Sequence, residues 1–103
     1  MWAELQGAVG VITGGAGAIG SETAAVFAEH GVTVAIADIV DPSPVVARID
    51  SAGGRALGVQ ADMNDLDAVD RMVRDVLEFS GGRSDLLINF AGLFNDVRRV
   101  PFW

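Results

Sequence analysis

The residues with the clearest chemical potential are Thr13-Gly14-Gly15-Ala16-Gly17-Ala18-Ile19-Gly20, which place Gly15, Gly17 and Gly20 at the spacing G-x-G-x-x-G. An apolar run precedes them and a helix-like run follows. A strand that turns through glycines straight into a helix is an anion-binding device. The helix start presents unpaired N–H groups and a partial positive charge to a phosphate. One glycine lets the chain turn, one lets the backbone approach a pyrophosphate, and one lets helix and strand pack closely. Glycine-rich turns are common, so the pattern alone is weak. It gains weight from its place in a βαβ unit and from Asp38, eighteen residues after Gly20. A carboxylate ending the second strand can accept hydrogen bonds from both hydroxyls of an adenosine ribose. It would repel the 2′-phosphate of NADP, and no Arg or Lys lies between Gly14 and Arg48 to offset that charge. These residues read as a site for NAD in preference to NADP. The bland alternative is an Asp that merely ends a strand.

The elements that must position this site follow from periodicity and punctuation. Ala8 to Thr13 reads as a first strand with a β-branched centre. Ala18 to His30 reads as a helix with Ile19, Thr23, Val26 and Phe27 on one face, stopped by Gly31. Val32 to Ala37 is a second strand, ending at Asp38. Ser43 reads as an N-cap with Pro44 at the first helical position of a short helix to about Ala52. Arg55 to Gln60 is a third strand. Asn64 is expected to cap a helix over 65–79, with Leu66, Val69, Met72, Val73, Val76 and Leu77 at core spacing. Asp85 to Asn89 is a fourth strand. The order βαβαβαβ with short connections predicts an open parallel sheet with helices on both faces.

Composition bounds the remaining function classes. A chain of 103 residues makes one domain at most, and a hydrophobic fraction of 50% suits strands that are buried on both faces. The net charge of −7 disfavours a nucleic-acid partner. No apolar run approaches the roughly 20 residues of a membrane span, and the start lacks the regions of a signal peptide. With no Cys there is neither a disulfide framework nor a thiolate metal site. A cytoplasmic location is the default reading. Asp62, Asp65, Asp67 and Asp70 could suggest a cation site, but acidic residues near a helix start need no metal to explain them. His30, the single His, reads as structural.

The glycine segment is similar to the T-G-x-x-x-[GA]-x-G turn of the short-chain dehydrogenase/reductase family. Asp62 after the third strand matches that family's adenine-contacting Asp, with Met63 beside the ring. Asn89-Phe90-Ala91-Gly92 resembles the family's N-N-A-G segment, with Phe90 in place of the second Asn. The resemblance implies an α/β Rossmann-type, doubly wound parallel sheet with strand order 3-2-1-4, present here in part. It implies hydride transfer between a nicotinamide cofactor and an alcohol or ketone. It also implies cofactor-binding roles for Thr13, Gly14, Gly15, Gly17, Ala18, Ile19, Gly20, Asp38, Asp62, Met63, Asn89, Ala91 and Gly92. The same glycines fit the extended, epimerase-like branch of the family. A flavin-binding Rossmann unit uses the G-x-G-x-x-G pattern too. The short spacing from Gly20 to Asn89 and the N-x-A-G form favour the compact reductase branch.

In that family a Ser, a Tyr-x-x-x-Lys pair and an Asn carry the chemistry. These 103 residues contain no Tyr and no Lys. Ser80 and Ser84 precede the fourth strand, and Asn95 follows N-x-A-G too closely, so none matches a catalytic position. Residues 1–103 therefore read as the cofactor-binding part of such a domain, cut before its catalytic half and inactive alone. The alternative is a dinucleotide-binding module without catalysis. Strand four is expected to be an open edge that invites self-association.

Overall fold

A computed structural model of the chain describes residues 2–91. Gly92, Asn95 and the ending Val100-Pro101-Phe102-Trp103 lie outside the described residues. A short 3₁₀ turn at Trp2–Glu4 precedes β1 (Val9–Thr13), α1 (Ala18–Glu29), β2 (Thr33–Asp38), α2 (Ser43–Ser51), β3 (Ala56–Gln60), α3 (Leu66–Ser80) and β4 (Leu86–Asn89). The four strands form one sheet in the order β3-β2-β1-β4, all pairs parallel. The expected Rossmann-type architecture is present, and every regular element lies within a residue or two of its sequence-based bounds. The initial 3₁₀ turn has no counterpart in the hydrophobic pattern.

Alternation along the central strands builds two cores. Ile12, Val34 and Ile36 point to one face, where Ala24 of α1 and Val45 and Ile49 of α2 cover them. Val11, Ala35 and Ala37 point to the other face, against Met72 and Val76 of α3. Among the described residues two helices thus cover one face and a single helix the other. All five residues of β1 are buried, as a central parallel strand requires. The edge strands β3 and β4 are only partly covered.

Helix packing departs from expectation in two places. In α1 the buried residues are Gly20 and Ala24, whereas Ile19 is 71% exposed and Val26 is exposed. The small side chains let α1 lie close on the sheet, which leaves the larger ones at its flanks. In α3 only Ala68, Met72 and Val76 are buried; Leu66, at 79% exposure, Val73 and Leu77 are exposed. Helix α3 packs on β2 and β3, so among the described residues nothing covers the strip above β4, and Leu87 is 64% exposed.

Two caps also differ. Asn64 does not cap α3; Asp65 does, accepting from the N–H groups of Asp67 and Ala68. Ser43 is the first residue of α2 and not its N-cap. That position falls to Pro42, while the Asp41 carboxylate accepts from the Ser43 amide and hydroxyl. At α3 the exit from β3 brings Asp65, and not Asn64, to the cap position; at α2 the Ser43 hydroxyl is spent on Asp41 and no side chain caps the helix. The Ser43 bonds hold the Asp41 carboxyl below the usual carboxylate range.

Candidate functional site

The site is built at the carboxyl ends of all four strands. Strand β1 ends at Thr13, and the chain turns at Gly14, whose φ of 70° is the left-handed conformation glycine adopts without strain. A Cβ there would fall 2.6 Å from both the Ala91 nitrogen and the Phe90 carbonyl carbon. The turn is therefore pressed against the end of β4 and tolerates no side chain. Two amides anchor it: Gly14 N–H donates to the Ala37 carbonyl at 2.8 Å, and Gly17 N–H to the Gly14 carbonyl at 3.2 Å. A Cβ on Gly15 would meet Ile36 Cγ2 at 2.6 Å, and one on Gly20 would overlap the Gly14 carbonyl oxygen. These glycines let α1 seat itself directly on the turn.

Helix α1 then begins at Gly17 with no side-chain cap and no acidic residue in its first turn. Its first amides, from Ala18 to Gly20, lie at the positions where an α-helix has no internal acceptor. This is the donor set an external anion needs.

Asp38 stands at the end of β2 beside the turn. Its Oδ2 accepts from the Ala16 N–H at 2.9 Å and its Oδ1 from the Val40 N–H at 3.0 Å. Asp62 follows β3; its Oδ1 accepts from the Asn64 N–H at 2.9 Å and shapes the turn into α3. The Thr13 hydroxyl, which is buried, donates to Asn89 Oδ1 at 2.8 Å, and Phe90 N–H donates to the Thr13 carbonyl at 2.8 Å. That pair of bonds locks the end of β4 to the end of β1.

Together these ends enclose an open groove of about 370 Å³. Of the residues singled out in the sequence, Gly14, Gly17, Asp38, Asp62, Met63 and Ala91 line it, and Ala37, Ile39, Ala61, Asn64 and Phe90 complete it. The groove lies beside the central strand β1, where the chain switches from one side of the sheet to the other. Open α/β sheets hold their ligands at such a switch point. Thr13, Gly15, Gly20 and Asn89 do not line the groove but hold it from behind. Ala18 and Ile19 do not line it either and form the first turn of α1 after Gly17. The added residues neighbour the anticipated ones in sequence, and apolar residues such as Ile39 carry no sequence signal that separates a groove wall from a core position. Among the described residues no Arg lines the groove, and its charged groups there are the two aspartates.

The aspartates of the segment 62–70 are spread along a turn and a helix, where Asp65 serves as a cap and Asp67 follows it. Among the described residues no group of three or more His, Cys, Asp or Glu could hold a metal ion. No helix there is long and apolar enough to cross a membrane.

The comparisons with known proteins agree with this geometry. The family model of short chain dehydrogenases matches residues 8–102. The chain is 42% identical over 92 residues to the (2S)-[(R)-hydroxy(phenyl)methyl]succinyl-CoA dehydrogenase subunit BbsD of Thauera aromatica, covering 86% of this chain and 36% of that protein. It is 36% identical over 93 residues to the peroxisomal hydratase-dehydrogenase-epimerase of Neurospora crassa, covering 90% of this chain and 10% of that protein. Among solved structures it superposes on a short chain dehydrogenase from Mycobacterium smegmatis with a TM-score of 0.82 at 34% identity, over 88% of this chain and 39% of that one. A hydroxysteroid dehydrogenase from Escherichia coli gives a TM-score of 0.81 at 31% identity, over 85% and 38% of the two chains. The chain thus spans well under half the length of these relatives. Family members use nicotinamide dinucleotides. The glycine turn, the sheet order and the match along almost its whole length show that this chain belongs to the short-chain dehydrogenase/reductase family of oxidoreductases.

Proposed function

We propose that this chain is the cofactor-binding part of an NAD-dependent oxidoreductase that moves hydride between the nicotinamide and an alcohol or ketone. The observation that carries this reading is the single groove bringing together the glycine turn, Asp38 and Asp62. The uncapped first turn of α1 would hold the pyrophosphate. Asp38 would accept from the adenosine ribose hydroxyls, and Asp62 and Met63 would border the adenine. The nicotinamide supplies the hydride acceptor or donor. The residues present fit such a group, since Cβ atoms on Gly14, Gly15 and Gly20 would run into the end of β4, Ile36 and the Gly14 carbonyl and push the turn and helix apart.

NAD is proposed in preference to NADP because Asp38 would face the 2′-position, and among the described residues no Arg lines the groove to compensate a phosphate there. Titration calorimetry with both dinucleotides tests this. Asp38→Ala is expected to weaken NAD binding about 10- to 100-fold, the scale of a charge-assisted hydrogen bond. It should also narrow the preference over NADP. Unchanged affinities would reduce Asp38 to a strand terminus.

By themselves, these 103 residues contain neither Tyr nor Lys and so carry no Tyr–Lys pair. A phenol that titrates near 10 needs a neighbouring cation to act at neutral pH. NADH formation from an alcohol by this chain alone would overturn the expected inactivity. The same absence favours a second reading, a dinucleotide-binding module without catalysis. Coding sequence beyond Trp103 that encodes a Tyr-x-x-x-Lys segment would decide for the enzyme. We also propose a cytoplasmic location and self-association of two copies through β4. Among the described residues this strand is an edge of the sheet, and it carries the exposed Leu87. A sedimentation profile of pure monomer at high concentration would count against that pairing.

A further inference from the structure

We infer that Asp38 is the positioning residue of the glycine turn and sets its backbone before any ligand arrives. The inference rests on the dinucleotide reading above but assigns the carboxylate a second role. Between Gly14, pressed on the end of β4, and Gly17, bonded back to the Gly14 carbonyl, the turn must carry the Ala16 peptide across to α1. Neither neighbouring bond fixes the orientation of that peptide. The Asp38 carboxylate does, through Oδ2 and the Ala16 N–H at 2.9 Å. The carboxylate is itself held: Oδ1 accepts from Val40 N–H at 3.0 Å, and the Asp38 carbonyl accepts from Ala61 N–H at 2.8 Å. One side chain thus ties the turn after β1 to the ends of β2 and β3. Each carboxylate oxygen has two acceptor positions, so one protein donor apiece leaves capacity for a ribose hydroxyl. A preset turn binds more tightly because less ordering remains to be done on association.

This role separates from ribose binding and from charge. Asp38→Asn removes the charge but keeps an oxygen that can accept from Ala16 N–H. Asp38→Ala removes both. Inorganic pyrophosphate has no ribose, so a role limited to the ribose hydroxyls predicts no difference between the two variants. Loss of charge alone makes both variants bind this polyanion better than the wild type, and equally. Loss of the positioning bond makes Asp38→Ala the weaker of the two.

The experiment uses the full chain labelled with nitrogen-15 and carbon-13. Without ligand, Ala16 amide exchange is expected to accelerate about 10- to 100-fold in Asp38→Ala, the scale of one charge-assisted hydrogen bond. Asp38→Asn should restore most of the protection, while Val11 and Ile36 amides stay slow in all three proteins. Pyrophosphate should bind Asp38→Asn more tightly than Asp38→Ala. Equal Ala16 exchange in all three proteins, or pyrophosphate binding that is measurable and equal in the two variants, overturns the proposal. If Asp38→Ala fails to fold, the wild type decides alone. A scalar coupling across the hydrogen bond from Ala16 N to Asp38 Cγ supports the proposal, and its absence overturns it. If the Ala16 readouts hold but neither pyrophosphate nor NAD binds any of the proteins, the preset turn stands and the dinucleotide reading has failed.

Discussion

Helices α1 and α3 both start just beyond the carboxyl end of a parallel strand, yet they treat their first amides in opposite ways. Helix α3 satisfies its own: Asp65 accepts from Asp67 and Ala68, and Asp67 adds a negative charge in the first turn. Helix α1 has neither a side-chain cap nor an acid in its first turn. The third helical residue is buried in each, Ala68 in α3 and Gly20 in α1. In α1 that residue lies against the backbone of the preceding turn, where a side chain would overlap the Gly14 carbonyl. A helix start completed by its own side chains is scaffold. One left incomplete above a groove, with glycine beneath it, is built for a ligand.

Substitutions at matched positions break or sharpen that contrast. The largest effect is expected at the third helical residue. Gly20→Ala drives a Cβ into the Gly14 carbonyl and should cost about 1–3 kcal/mol in a denaturant melt and disrupt dinucleotide binding. Ala68→Gly should cost about 1 kcal/mol through helix propensity and leave binding intact. An acid placed in the first turn of α1 comes next. Ile19→Glu is expected to weaken NAD binding about tenfold by repulsion in calorimetry. The same change should leave stability equal or slightly higher, because a carboxylate suits a helix start. A loss of stability with unchanged binding would show that this helix start is no anion site. Removing the cap of α3 with Asp65→Ala should cost about 1 kcal/mol and leave ligand affinity unchanged.

The smallest effect concerns Asp85, at the base of β4. The Val9 N–H at 2.8 Å, and then the Arg83 guanidinium at 2.7 Å, hold its carboxyl below the ordinary aspartate value. A carboxyl depressed in the folded state stabilises it at neutral pH, and that contribution fades as the pH falls below about 4. Asp85→Asn should therefore lower stability slightly at pH 7 and flatten the acid limb of the melting profile. Screening keeps the effect small, since both partners are partly exposed.

Different parts of the chain were legible to different degrees. The strand sequence at residues 9–12 is apolar throughout, and only burial on both faces accommodates that. The glycines at 15, 17 and 20 and the carboxylate at Asp38 have types that narrow their use to a turn and an acceptor. The caps were harder: Asn64 and Asp65 are adjacent, both cap helices well, and the choice depends on which backbone the β3 exit delivers. Leu66, Val73 and Leu77 follow helical spacing as faithfully as Met72 and Val76. Periodicity records a stripe but not the width of the surface waiting for it.

Local chemistry thus determined the element order, the glycine turn and the family, because each rests on residue types and spacings that few other conformations satisfy. Tertiary structure alone decided that the ends of all four strands meet in one groove. It also set the Asp38 carboxylate on the Ala16 amide and left the flank of α3 and Leu87 exposed. Those outcomes depend on where separate segments come to lie in three dimensions, and the distance along the chain from Ala16 to Asp38, or from Thr13 to Asn89, carries no information about it.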